Sequence, residues 1–308
     1  MPSLCNRVIK LSKPDWLKIR LHSDPAYAEV ERIVKEHSLH TICSSGMCPN
    51  KAECWSRRTA TFMLMGDVCT RNCRFCATLT GRPEPLDPSE PEMLAESVVL
   101  MGLKHIVLTA VTRDDLADGG AAHWVKAVEA IRARKCGATV ELLISDMKQD
   151  PDSLRVVVSS GADIIGHNIE TVRSLTPQIR SNASYERSLA TLSILAEAGA
   201  VTKSGIMVGL GESDEEIIQT LRDLREVGVK IVTLGQYLRP TLEHHPVDRY
   251  VTPETFEWYR QQALEMGFSY CASAPLVRSS YLADEALGAI KGITGTSETT
   301  DIKVQDNE

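Results

Sequence analysis

The stretch TATFMLMGDVCTRNCRFC, Thr59 to Cys76, decides how this chain is read. Its first half, Thr59 to Met65, is a short apolar run stopped by Gly66, the pattern of a buried strand. Directly beyond it, Cys69, Cys73 and Cys76 fall in the spacing CxxxCxxC. Three thiolates on one tight loop can hold three irons of a cubane 4Fe–4S cluster and leave the fourth iron open to a cofactor. A structural zinc takes four protein ligands in paired knuckles, which a lone triple supplies poorly.

Working outward, short apolar runs alternate with amphipathic helical stretches, as in a parallel α/β fold. Further strands are expected at His105 to Ala110, Thr139 to Ile144, Asp163 to His167, Val201 to Val208 and Lys230 to Leu234. Between them, Leu94, Val98 and Met101 share one helical stripe, and Ile217, Leu221, Leu224 and Val227 share another. Gly102 and Gly228 follow these stripes, where a left-handed residue ends a helix. Right-handed crossovers would then gather the C-terminal ends of the strands at one mouth. The expected fold is an incomplete parallel (β/α)6 TIM-like barrel over residues 59–290, with the cysteine loop at its mouth.

Two segments stand outside the alternation: an extension, residues 1–58, with a helix expected at Ala26 to His37, and a polar tail, residues 291–308, with the composition of disorder. The extension carries CSSGMCPNKAEC, in which Cys43, Cys48 and Cys54 form a second triple. By residue type alone this is either a second cluster short of one ligand or a zinc site completed by His37 or His40. Near its start, Arg7, Lys10, Lys13, Lys18 and Arg20 face one acid, Asp15, and make a solvated basic arm or a docking patch.

The 308 residues carry a net charge of −7, which gives no global attraction for nucleic acid or an anionic membrane. No run is apolar enough to span a bilayer, and no secretory signal opens the chain, so a cytoplasmic location is expected. Nine cysteines, an odd number, argue against a disulfide framework in such a compartment. Cys5, Cys136 and Cys271, which lie outside the two triples, read as buried or idle thiols.

The CxxxCxxC loop after the first strand resembles that of the radical S-adenosylmethionine (SAM) superfamily. Both triples together resemble the lipoyl synthase family within it, as do KLSKPDWLKIRL, VTRDDLADGGAAHW, GHNIETV, KSGIMVGLGE, GQYLRPT and RSSY, strings running from Lys10 to Tyr281. The resemblance implies two 4Fe–4S clusters and SAM as cofactors. SAM would bind the open iron of the first cluster, and the second, auxiliary cluster would be held by Cys43, Cys48, Cys54 and, as fourth ligand, Ser280. A hydroxyl is a harder and weaker partner for iron than a thiolate, which suits a cluster meant to be dismantled. Without the resemblance, Ser280 reads as a helix N-cap.

The implied reaction inserts two sulfur atoms, at C6 and C8, into an octanoyl chain on a lysine of a lipoyl carrier domain. The carriers would be dehydrogenase E2 subunits or the glycine cleavage H protein, with ferredoxin or flavodoxin as electron donor. An unactivated methylene offers neither an acidic proton nor a leaving group, so a radical is needed.

SAM contacts are expected from Phe75, from Thr109, Arg113 and Asp115 beyond the second strand, from Asn168 and Glu170 beyond the fourth, and from Gly209 in GLGE. A tight strand-to-helix turn needs that glycine in any case. Arg278 is a candidate fork for a carbonyl or carboxylate. No Walker loop, HExxH string or Ser-His-Asp order is present.

Overall fold

The computed structural model describes residues 12–18, 24–37, 39–56, 60–180, 182–280 and 283–290. Cys5, most of the basic arm, Thr59, Tyr281 and the tail 291–308 lie outside the described residues.

The strands, in chain order, are β1 (Thr61–Leu64), β2 (Val68–Cys69), β3 (Leu79–Thr80), β4 (His105–Ala110), β5 (Thr139–Leu143), β6 (Ile164–Gly166), β7 (Thr202–Val208), β8 (Ile231–Gln236) and β9 (Tyr270–Ser273). Seven of them form one sheet in the order β1-β4-β5-β6-β7-β8-β9, and every neighbouring pair is parallel. The six strands read from the sequence are all present, and β9 is a seventh. Tyr270–Ser273 has only four residues, none of them β-branched, and so gives little strand signal. β2 and β3 pair with each other as a small ribbon around the cysteine loop.

The helices are α1 (Pro25–Glu36), α2 (Ile42–Ser45), α3 (Lys51–Ser56), α4 (Glu90–Leu100), α5 (Ala121–Ala133), α6 (Pro151–Ser159), α7 (Thr176–Ile179), α8 (Tyr185–Glu197), α9 (Asp214–Glu226), α10 (Pro253–Glu265) and α11 (Ala283–Ile290). On α9 a capping box joins Ser213 and Glu216, and the expected stripe buries Ile217, Leu221 and Leu224. After α4 and α9, Gly102 (φ +61°) and Gly228 (φ +89°) take the left-handed turn that leads into the next strand.

The extension is built onto β1. Residue Thr41 bridges Phe62 in antiparallel fashion, and Met63 donates its N–H to His40 O at 2.9 Å, so the outer edge of β1 is covered. Asp24 caps α1, whose apolar face meets α3 through the Tyr27 and Trp55 rings, 5.3 Å apart. Val30, Ile33, Cys43 and Trp55 share one apolar core with β1, α4 and α5. No helix among the described residues is long and apolar enough to cross a membrane.

At the starts of the strands, Lys203 donates to Glu141 at 2.7 and 3.0 Å, with both side chains almost wholly buried. Burial alone would push the Glu141 carboxyl up, but the charge of Lys203 and the bonds from His105 and Lys203 hold it below the ordinary carboxylate range. Its stabilisation is therefore present above the unfolded-state pKa and lost as pH falls through the lower folded value. Lys203→Met strands the carboxylate and is expected to cost about 3–5 kcal/mol. Urea unfolding followed by circular dichroism reads this, and an unchanged midpoint would show that the pair contributes nothing.

Candidate active site

At the C-terminal ends of the strands lies a cavity of about 610 Å³. Cys69, Cys73 and Cys76 are on its wall, and so are Cys43 and Cys48 from the extension and Ser280 from the C-terminal segment. Cys54, on α3, is half-buried against the apolar core and is not part of the wall. Neither His37 nor His40 reaches the cavity. None of the eight described cysteines is in a disulfide.

The cysteine loop is locked to the ends of β4 and β5. Cys69 Sγ accepts the N–H groups of Thr112 (3.3 Å) and Arg71 (3.4 Å). Arg71, itself buried, donates two bonds to Asp114 (2.7 and 2.8 Å) and one to the fully buried Asp146 (2.6 Å). From the other side, His244 Nε2 meets Cys76 O at 3.0 Å, and Arg74 N–H donates to Ile179 O at 2.9 Å. The loop is thus held by its backbone and by arginine, which leaves its thiols facing the cavity.

Burial pushes the Cys73 thiol up to about 12, with the neighbouring Cys76, Glu170 and Cys69 charges adding to the rise and Arg180 opposing it. Cys76 is raised by burial as well, and Cys48 by burial and the charge of Cys43. Thiols of this kind are inert as nucleophiles at neutral pH, and a bound metal would supply the positive charge that the thiolates lack. Among the described residues, no three His, Cys, Asp or Glu side chains are drawn closely enough together to hold a single metal ion. A cubane spreads its thiolates over separate irons and asks for a wider cradle than a lone zinc with bonds of about 2.3 Å. The donor chemistry and the N–H groups aimed at Cys69 fit an iron–sulfur cluster.

The Radical SAM superfamily profile matches residues 63–224. The lipoyl synthase of Parabacteroides distasonis is 54% identical over 275 residues, 89% of this chain and 98% of that one. Those of Porphyromonas gingivalis and Oceanobacillus iheyensis are 52% and 53% identical, over 90% and 92% of this chain and 99% and 91% of theirs. This chain belongs to the lipoyl synthase family. Among solved structures, methylornithine synthase superposes with a TM-score of 0.54 at 16% identity, over 82% of this chain and 79% of that one. The hydrogenase maturase HydG from Carboxydothermus hydrogenoformans also gives 0.54, at 14% identity, over 86% and 78%. At such identities these two speak for the partial barrel alone.

Lipoyl synthases of the radical SAM type use SAM and 4Fe–4S clusters, and the residues expected to contact SAM in this family divide into two groups. Phe75, Thr109, Asn168 and Glu170 line the cavity, as does Arg278. Phe75 packs with Ile179, Leu210 and Tyr237, and Glu170 holds a left-handed backbone (φ +70°), the kind of strain that gathers at functional sites. Arg113, Asp115 and Gly209 stand off the wall. Arg113 is spent on Asp115 (2.8 Å) and Met65 O (3.2 Å), a brace between β1 and the loop after β4. A Cβ on Gly209 would meet Gln236 Nε2 at 2.2 Å and Arg249 O at 2.4 Å, so close packing already accounts for this glycine.

Residues that the sequence reading passed over stand beside the thiols. Arg180, buried, bonds Ile169 O (3.1 Å) and Ser188 (2.7 Å) and acts on Cys73. Its only sequence signal is a position two turns beyond GHNIETV, which does not separate it from a surface arginine.

Proposed function

We propose that this chain inserts two sulfur atoms, at C6 and C8, into an octanoyl chain carried on a lysine of a lipoyl carrier domain. The observation that carries this reading is the meeting of Cys43, Cys48 and Ser280 with Cys69, Cys73 and Cys76 around one cavity. When bound, the clusters and SAM would supply hydrogen-atom abstraction at each carbon and the sulfur that takes the hydrogen's place.

The chain's own work is to hold and to exclude. Cys69, Cys73 and Cys76 hold three irons of the SAM-binding cluster, on a loop fixed by Arg71. Cys43, Cys48 and Ser280, which line the cavity, together with Cys54, which lies off its wall on α3, would hold the auxiliary cluster. Glu170, raised by burial against the opposing pull of Arg180, and Thr109 line the same cavity and would offer polar partners to the cofactor. Ile42, Met63, Val111, Ile144 and Ile206 give the wall an apolar side suited to an eight-carbon chain and hostile to water. Placing the carbons beside the sulfide matters, because a misalignment of about 1 Å costs roughly a hundredfold.

The carriers are octanoylated dehydrogenase E2 subunits or the glycine cleavage H protein, and ferredoxin or flavodoxin supplies electrons. A reducing cytoplasm suits six thiols that must stay available to iron. Mass analysis of an octanoyl-lysine peptide after anaerobic incubation with SAM and reductant is expected to show the gain of two sulfurs as the dithiol, with no net change in hydrogen, and two hydrogens fewer only after oxidation to the ring disulfide. An unmodified peptide, with SAM cleaved, would overturn the substrate assignment.

A further inference from the structure

The segment after β9 turns back from the mouth and is tied along its length. Gln236 N–H donates to Pro275 O at 3.3 Å, and Asn50, between Cys48 and Cys54, donates its side-chain amide to Leu276 O at 2.7 Å. Val277 passes so close to β8 that a Cβ on Gly235 would lie 2.1 Å from its carbonyl oxygen. Asn168 donates to Ser279 Oγ at 2.8 Å. Among the described residues, the tie that reaches the oxygen of Ser280 comes from Thr61, at the start of β1, which donates its hydroxyl to it at 2.8 Å.

The backbone of Thr61 is occupied by its pairing with Val107, and the side chain is buried on the cavity wall. A valine would fill the same space in the strand, so neither the sheet nor the core calls for the hydroxyl. The β-branched side chain has a restricted χ1, which makes it a stiff donor, whereas an untethered serine hydroxyl samples three rotamers. An iron-bound serine oxygen can still accept a hydrogen from a hydroxyl, so the tie serves Ser280 both on and off the metal.

We propose that Thr61 is a positioning residue that holds Ser280 Oγ toward the pocket of Cys43 and Cys48 and reseats it after the auxiliary cluster is rebuilt. This rests on Ser280 being the fourth ligand of that cluster. Arg278 and Ser280 line the same cavity as Cys43 and Cys48, and the Asn50 tie to Leu276 anchors the segment between Cys48 and Cys54, which places it beside the auxiliary thiols.

The test uses the full chain, reconstituted anaerobically with iron and sulfide, and follows iron release to a ferrous chelator. Cys43→Ala, which lacks the auxiliary site, identifies the phase that belongs to the other cluster. Thr61→Val is expected to release auxiliary iron roughly tenfold faster than the unaltered chain, the size of one lost hydrogen bond to a charged oxygen. Thr61→Ser is expected to restore slow release, and Thr61→Val combined with Ser280→Ala to release no faster than Ser280→Ala alone. Release from Thr61→Val at the unaltered rate, or from Thr61→Ser as fast as from Thr61→Val, overturns the proposal. If Ser280→Ala itself releases iron at the unaltered rate, the assignment of Ser280 as a ligand falls and the role of Thr61 with it.

Discussion

Cys73→Ala is expected to lower reductive cleavage of SAM by roughly a thousandfold or more, about 4 kcal/mol of barrier. With only Cys69 and Cys76 left on the loop, two thiolates cannot present a cubane with a single open iron. The loss is chemical and not structural, because the loop's other ties remain. Arg71 still bridges Asp114 and Asp146, and Cys76 N–H still donates to the carbonyl of residue 73 at 3.1 Å. The measurement is 5′-deoxyadenosine formed per chain under dithionite, alongside an unchanged circular dichroism spectrum. Cleavage within tenfold of the unaltered chain would remove Cys73 from the cofactor site.

Cys43→Ala should separate the two halves of the reaction. The variant keeps the cysteine loop, so SAM is still cleaved, but sulfur insertion falls below detection and bound iron drops from about eight to about four per chain. Cys43 is buried at the junction of α2 with β1, so its loss also trims a packed side chain; Cys43→Val, which fills the site without a ligand atom, is the control for packing. Thiolated product at the unaltered level in both variants would mean that the extension holds no sulfur source.

The barrel was legible in the sequence because its signals are local. Each of the six expected strands is a short apolar run, two of the helices between them show their own stripes, and Gly102 and Gly228 mark the joins. Strand β9 escaped because Tyr270–Ser273 carries no β-branched residue and gains its place only by pairing with Ile231 to Leu234. The cysteine loop was legible for the same reason of locality, since Cys69, Cys73 and Cys76 lie within eight consecutive residues.

The rest of the site is made by long-range meetings that spacing does not encode. Asn168, expected at SAM, lines the cavity and also donates to Ser279, a tie no spacing announces, and Ser280 came from family resemblance alone. Arg113 and Asp115 sit in a loop at the mouth, where charge suggests a ligand, yet they satisfy each other. Arg180 and Thr61 carry no signal along the chain, because which inward side chain meets the thiols depends on register and on the path of the returning C-terminal segment.

The proposed reaction depends on an auxiliary cluster that gives up its own sulfur. Chains loaded with heavy-isotope sulfide, freed of excess sulfide and given natural-abundance SAM and octanoyl-lysine peptide for one turnover, test this directly. Heavy isotope at both inserted positions, with product limited to about one per chain, is the predicted result. Light sulfur in the product, or continued turnover with no fresh iron and sulfide, would contradict it.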